Sequence, residues 1–253
     1  MFSSKKFKVC VLLIVMLIGL CIPVVARAKS THAVMVKYDS RMERISVNTY
    51  VEKQVDPHQR DQIAERLRAS RESVAGLFGS KEASPVLIFV QSAEGQRRYA
   101  ENPTGQTYYL YWGNYIVLGP QGMDSAVISH ELVHAELRER LLNKAKVPAW
   151  FDEGLATMVD GRYTDYDTVW RKETNGGERK IDLESMESSA AFAYGTAEAY
   201  THYNLACYEV TRWYSRVGRQ GLLQFIDDLN SGQPFASAYA DIETSLERQP
   251  SAF

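Results

Sequence analysis

Cysteine is scarce in this chain of 253 residues, with three in all, and Cys10 and Cys21 both lie near the N-terminus. A mature protein without that stretch keeps Cys207 alone, so it has no intrachain disulfide, and a chain of this size can bury a core without one. Cys207 falls in an apolar helical pattern and reads as a small buried hydrophobe, with no partner at a metal-site spacing. An excess of one charge is also missing: 29 Lys and Arg stand against 31 Asp and Glu, a formal net charge of −2. There is no internal repeat, no low-complexity tract and no change of composition that would mark a linker. Long apolar runs are absent after the N-terminus, and the one from Val9 to Leu20, even extended to Val25, is short for a membrane span.

That first apolar run has the parts of a secretory signal. Lys5, Lys6 and Lys8 form a positive start, and Ala26-Arg27-Ala28 is a small-x-small cleavage site, so residues 1–28 are expected to leave and the mature chain to begin near Lys29. An uncleaved anchor is the alternative. Leu20 before Cys21 argues against a lipoprotein signal. The leader carries four basic residues and no acid, so its loss takes the net charge to −6. An acidic exported product, secreted or periplasmic, has no general electrostatic attraction to nucleic acid or to anionic lipid. Neither is expected as a partner, and no membrane association is expected unless the leader is retained.

What is present centres on Ser129-His130-Glu131-Leu132-Val133-His134-Ala135. Histidines four apart on a helix are separated by about 6 Å along the axis and roughly 40° around it, so both can reach one ion. Glu131 lies about 100° from His130, beside such an ion without being a ligand. Nineteen positions after His134 comes Glu153, in Pro148-Ala149-Trp150-Phe151-Asp152-Glu153-Gly154-Leu155-Ala156. His130, His134 and Glu153 thus supply the three ligands, with one position left open, that a catalytic zinc requires. The H-E-x-x-H pattern is the sequence form of a zinc metallopeptidase site, with Glu131 as general base. One Zn2+ per chain is expected, no organic cofactor, and a peptide or protein substrate. Isolated histidines elsewhere, His32 and His58, read as surface residues.

Around this centre the sequence reads as α+β. Val34, Val36 and Tyr38, then Ile45, Val47 and Thr49, suggest two strands about an Asp39-Ser40-Arg41 turn. Asp56-Pro57 opens a helix with Asp as cap, striped by Ile63, Leu67, Val74, Leu77 and Phe78. Pro85 to Gln91 is a continuous apolar run suited to a buried strand. Ser92 can cap a short helix to about Glu101. Thr107–Trp112 and Tyr115–Leu118 flank Gly113-Asn114, a hairpin signal. This aromatic hairpin either offers an edge to an extended peptide or simply covers the core. Asp124 or Ser125 caps the histidine helix, which extends to about Asn143, with Val127, Leu137 and Leu141 making one buried side. Pro148 takes a first-turn position in the next helix, which reaches Asp160-Gly161. Tyr163 to Lys180 reads as exposed loop, and Ile181-Asp182-Leu183 precedes a short helical stretch. Ala190–Arg216, the segment after Gly218-Gly221, and Pro234 to about Leu246 read as helices. A single domain over 29–253 is expected, with an α/β part at 29–145 and a helical part at 146–253.

On these residues the chain resembles the gluzincins, the zinc metallopeptidases whose third ligand is a Glu on a second helix. His130-Glu131-x-x-His134, eighteen residues, then Glu153 follows their order, and Trp150-x-x-Glu153-Gly154-x-Ala156 is similar to their second block. More closely it resembles small bacterial peptidase-MA-like families. Tyr203, Ala206, Val210, Trp213 and Gly218 fit the spacing of their downstream helix, and Gly232-x-Pro234-Phe235-x-x-Ala238 fits their C-terminal block. The likeness covers roughly Tyr115 to Leu246. It implies a zincin-like fold in which an N-terminal mixed sheet with helices packs on the active-site helix and a mostly helical lobe closes the cleft. It also implies an endopeptidase that hydrolyses peptide bonds through a metal-activated water. No G-x-M-E-N anchor is present, which sets aside the large aminopeptidase branch. Tyr203 is the residue the likeness suggests as oxyanion donor, with Tyr200, Tyr194 and His202 behind it. Four positions after Glu153, where several gluzincins place an acid that orients a histidine, this chain has Thr157, so that partner stays unassigned. Two other classes remain: a silent zinc-binding pseudo-protease that recognises a partner, and a binding module without metal.

Overall fold

The computed structural model describes residues 29–247 apart from Trp112, Asn143, Lys144 and Tyr194, and without the side chains of Ser245, Leu246 and Glu247. The expected signal peptide, the candidate Tyr194 and the apolar contact expected of Leu246 therefore lie outside the described residues. The architecture is α+β. Helix α1 (Lys29–Val34) and a 3₁₀ turn (Val36–Tyr38) lead into strands β1 (Met42–Ser46) and β2 (Thr49–Glu52). Helix α2 (Pro57–Phe78), strand β3 (Val86–Phe89), helix α3 (Ala93–Tyr99) and strands β4 (Gly105–Leu110) and β5 (Gly113–Leu118) follow. The remainder is helical: α4 (Ser125–Arg140), α5 (Ala149–Asp160), α6 (Tyr166–Thr174), α7 (Ala197–Asn230, broken at Gly218) and α8 (Phe235–Glu247), with 3₁₀ turns at Glu184–Met186 and Ser189–Phe192.

The sheet is mixed, in the order β1-β2-β3-β5-β4. The β2, β3 and β5 pairings are parallel, and the β1–β2 and β4–β5 pairings are antiparallel. Successive side chains of a strand alternate faces. Leu87, Phe89, Ile116 and Leu118 therefore join one core with α2 and α4, while Ile88, Val90 and Val117 join a second core with α1 and α3. Both faces are covered, which is why β3 reads as an unbroken apolar run. The caps fall where the sequence puts them. Asp56 accepts from the amide of Gln59, Ser92 from that of Gly95 and Asp124 from that of Val127.

Six expectations are corrected. The segment Val34 to Tyr38 is helical, not a strand; its buried Val36 and the preceding Ala33 are three apart, the spacing of a helical turn, and pack with Tyr99 and Ala100. The β1–β2 turn accordingly lies at Val47-Asn48, with Asn48 in the left-handed region at φ 55°. The second hairpin turns between Leu110 and Gly113, not at Gly113-Asn114. There Asn114 is buried within β5 and its amide donates to the Ala135 carbonyl on α4, which fixes the register. Residues 163–180 contain α6: Trp170 stacks on Tyr208 at 4.6 Å, and Thr174 is buried. Finally, α4 ends at Arg140 and is buried on every side from Val127 to Leu137, because it runs between the sheet, α2 and α5. Pro148 stands one place earlier than expected, as the cap residue of α5.

Candidate metal centre

A helix buried all round would ordinarily be apolar, yet α4 carries His130, Glu131, His134 and Glu136 inside the protein. Each must find a partner there. Glu136 accepts from the amides of Glu82 and Ala83 and from Arg140, and ties the helix to the loop after α2. The other three point the opposite way, into a cleft of about 330 Å³ bounded by β4, α5 and α7.

His130 and His134 present their Nε2 atoms 3.1 Å apart, with the rings nearly perpendicular. Glu153 arrives from α5, its Oε2 atom 3.2 Å from Nε2 of His130 and 3.5 Å from Nε2 of His134. The placement of Glu153 follows from its neighbours. Trp150 and Phe151 are buried among Trp213, Phe225, Phe235 and Tyr239, which anchors the start of α5. Gly154 lets α5 lie against α7, for a Cβ there would stand 2.6 Å from the Ala206 carbonyl oxygen and 2.5 Å from Val210. The tight Glu-Gly pair thus has a packing cause.

The far sides of both rings are held by carboxylates. Nδ1 of His130 bonds Asp160 at 2.7 Å, and Nδ1 of His134 bonds Asp152 at 2.6 Å. Asp160 is itself gripped by the Nε and Nη2 of Arg162 at 2.9 and 2.7 Å. In the tautomer that donates Nδ1–H outward, a neutral imidazole turns its Nε2 lone pair inward. Oε2 of Glu153 is buried and receives no hydrogen bond. In that tautomer three electron-pair donors converge on one point, an arrangement that a cation completes. His130, His134 and Glu153 could hold a metal ion.

Without an ion, the carboxylates around the rings set the electrostatics. Burial alone would push the His130 pKa down, but the bond to Asp160 and the adjacent Glu153 carboxylate outweigh it and hold the pKa above the usual imidazole value. For His134, burial is likewise outweighed, by Asp152 and Glu153. Burial would raise the Glu153 carboxyl, yet the two histidines hold it well below the carboxylate range.

Glu131 stays outside the trio. Thr107 on the edge strand β4 donates to its Oε2 at 2.7 Å. A Cβ at Gly105 would stand 2.9 Å from Cγ and Oε1 of Glu131, so β4 passes close over the carboxylate only because that position is glycine. Tyr203 also lines the cleft. Its ring stacks on Tyr163 at 4.8 Å and lies 6.3 Å from that of His130. Burial first, then the Glu153 charge, push its phenol pKa well above the ordinary value, so it stays protonated. The reserve candidates are elsewhere: the Tyr200 hydroxyl donates to Asp165, and His202 Nδ1 bonds the Ala191 carbonyl. Cys207 is buried, as expected, and His58 is exposed, whereas His32 is half-buried against Tyr99.

Sequence reading missed Asp152, Asp160, Arg162 and Thr107. The first two carried a signal: Asp152 precedes the ligand, and Asp160 lies seven residues beyond it, two turns along the same helix face. The intervening Thr157 returns its hydroxyl to the Glu153 and Gly154 carbonyls of its own helix. Comparison with models of known families, with curated proteins and with solved structures gives no match to this chain.

Proposed function

We propose that this protein is an exported zinc metallopeptidase of the gluzincin type, acting as an endopeptidase on peptide or protein substrates. The observation that carries the reading is the unpartnered, buried Oε2 of Glu153 facing two Nε2 atoms, with Glu131 beside them on the floor of an open cleft. Donors bound tetrahedrally to zinc at about 2.0–2.1 Å stand about 3.3 Å apart. The three separations of 3.1, 3.2 and 3.5 Å bracket that value. Two nitrogens and one carboxylate suit zinc, and leave a place for solvent. Export rests on the leader read from Lys5 to Ala28.

When bound, Zn2+ supplies a Lewis acid that brings the pKa of water towards neutrality and polarises a carbonyl oxygen. The chain does the rest. Asp152 and Asp160 fix the tautomer and tilt of the two imidazoles, and Arg162 keeps Asp160 charged and in place. Glu131, steadied by Thr107, takes the proton of the attacking water and passes it to the leaving amine. Tyr203, protonated at working pH, donates a hydrogen bond as charge builds on the carbonyl oxygen. The edge of β4 above Glu131 offers amides and carbonyls to an extended peptide.

Elemental analysis of the purified protein and of Glu153→Ala is the first test. About one zinc per chain, lost or sharply weakened in the variant, is expected; a folded wild type that takes up no zinc would remove the basis of the proposal. Glu131→Gln then separates an enzyme from a silent zinc-binding protein. It should retain zinc and lose peptide hydrolysis by a factor of about 10² to 10⁴.

A further inference from the structure

The cleft continues past the trio into a second chamber of about 280 Å³. Tyr109, His134 and Asp152 belong to both, so the two spaces meet at the metal ligand itself. Beyond that wall the floor is apolar, formed by Leu137, Leu141 and Val147. The charged groups beyond it are Arg138 and Lys146, both exposed. Several other arginines are committed to carboxylates: Arg41 to Asp39, Arg140 to Glu136, Arg162 to Asp160 and Arg212 to Glu209. Arg138 and Lys146 are in no hydrogen bond or ion pair among the described residues, and both border this space. Two uncommitted cations at the far end of a cleft whose middle is lined by Glu131, Asp152 and Glu153 give it a sharp charge gradient.

The register is set by α4. Arg138 follows His134 by four residues, which is one turn or about 6 Å along the helix axis. An extended peptide advances about 3.3 Å per residue. A group recognised by Arg138 therefore sits about two residues from the bond held at the trio.

Resting on the peptidase reading above, we propose that this chamber is a carboxylate subsite. Arg138 and Lys146 select peptides that carry a carboxylate within about two residues of the bond cleaved, and Leu137, Leu141 and Val147 take the methylenes that lead to it. The carboxylate can belong to an acidic side chain or to the end of the peptide chain; the chemistry recognised is the same.

Two readouts test this. Fluorescein-labelled peptides in matched pairs, Glu against Gln at each position flanking the bond and free acid against amide at the C-terminus, are titrated by polarisation into zinc-loaded Glu131→Gln protein. The same pairs are assayed for kcat/KM on zinc-loaded wild type. The carboxylate member of a pair should bind about tenfold tighter, the worth of two partly exposed ion pairs. The preference should shrink with added salt. Adding Arg138→Gln and Lys146→Gln to Glu131→Gln should bring the members of that pair together, and Arg138→Glu should reverse the order. Discrimination confined to the Glu/Gln pairs assigns the side chain, and discrimination confined to the acid/amide pair assigns the chain end. Equal binding of both members to Glu131→Gln protein, or a preference that survives the loss of both cations, overturns the subsite. Both cations are exposed, so unchanged zinc content and melting temperature will show that the variants fold. Hydrolysis without any carboxylate preference would sink the subsite and leave the peptidase reading standing; preference in binding without hydrolysis would do the reverse.

Discussion

At the scale of single residues, the candidate centre is a set of polar groups each satisfied by a named neighbour, except at the point where His130, His134 and Glu153 could hold an ion. Nδ1 of each histidine is occupied by a carboxylate, Asp152 or Asp160, and Oε2 of Glu153 is not occupied at all. Orienting carboxylates raise the basicity of a ligand histidine and lock its ring, and their loss typically weakens metal binding 10- to 100-fold. Asp160→Asn should therefore lower zinc affinity by about that factor, and isothermal titration against a competing chelator would measure it. An unchanged affinity would show that Asp160 only packs. Much of this shell was legible in the sequence. His130, Glu131, His134 and Glu153 declare themselves by spacing, because a helix converts a four-residue interval into a shared face. Thr107 and Arg162 do not, since nothing local says that β4 crosses over Glu131 or that the chain after α5 folds back on Asp160.

At the scale of elements, two joints deserve tests. The first is the crossing of α5 and α7 at Gly154, where a methyl group would meet backbone. Gly154→Ala should destabilise the protein by about 1–3 kcal/mol through overpacking, with a lower urea midpoint and weaker zinc uptake as α5 shifts Glu153. A variant as stable as wild type would show that the helices can separate freely there. The second joint is Asp39, which receives Arg41, Arg98 and the Tyr99 hydroxyl and so clamps the segment after α1 to α3. The bond to Arg41 is the main reason its carboxyl lies far below the usual range, against an opposing push from burial. A carboxyl depressed in the folded state contributes stability above its unfolded pKa near 3.9, and that contribution is lost as pH falls towards the folded value. Asp39→Asn should thus cost on the order of 1 kcal/mol at neutral pH, with the gap between the two melting temperatures closing between about pH 4 and pH 2. Elements themselves were readable where their pattern was local. The caps at Asp56, Ser92 and Asp124 and the buried strand β3 are of that kind. The helix Tyr166–Thr174 was not, because its apolar residues Tyr166, Val169 and Trp170 are few and their partners, the main core and Tyr208, lie far from them in the chain.

At the scale of the whole molecule, the trio joins the two helices on which the cleft depends, α4 beneath the sheet and α5 at the head of the helical half. A metal that binds only the folded protein stabilises it by about 2.7 kcal/mol at a hundred times its dissociation constant. Chelation should therefore lower the melting temperature by several degrees and readdition of zinc should restore it, whereas Glu153→Ala should melt alike with and without chelator; calorimetry reads both. The sequence by itself determined the α+β character, the helix that carries His130 and His134 with Glu131 beside them, and the downstream Glu153 on the next helix, because each follows from periodicity or spacing along the chain. Only the tertiary structure decided that α4 is enclosed on every side, that Asp152 and Asp160 hold the rings, that the second hairpin turns two residues early, and that Arg138 and Lys146 border an extension of the cleft. Those depend on which surfaces meet, and a meeting between segments far apart in the chain is fixed by the packing of the whole core and not by any one stretch of it.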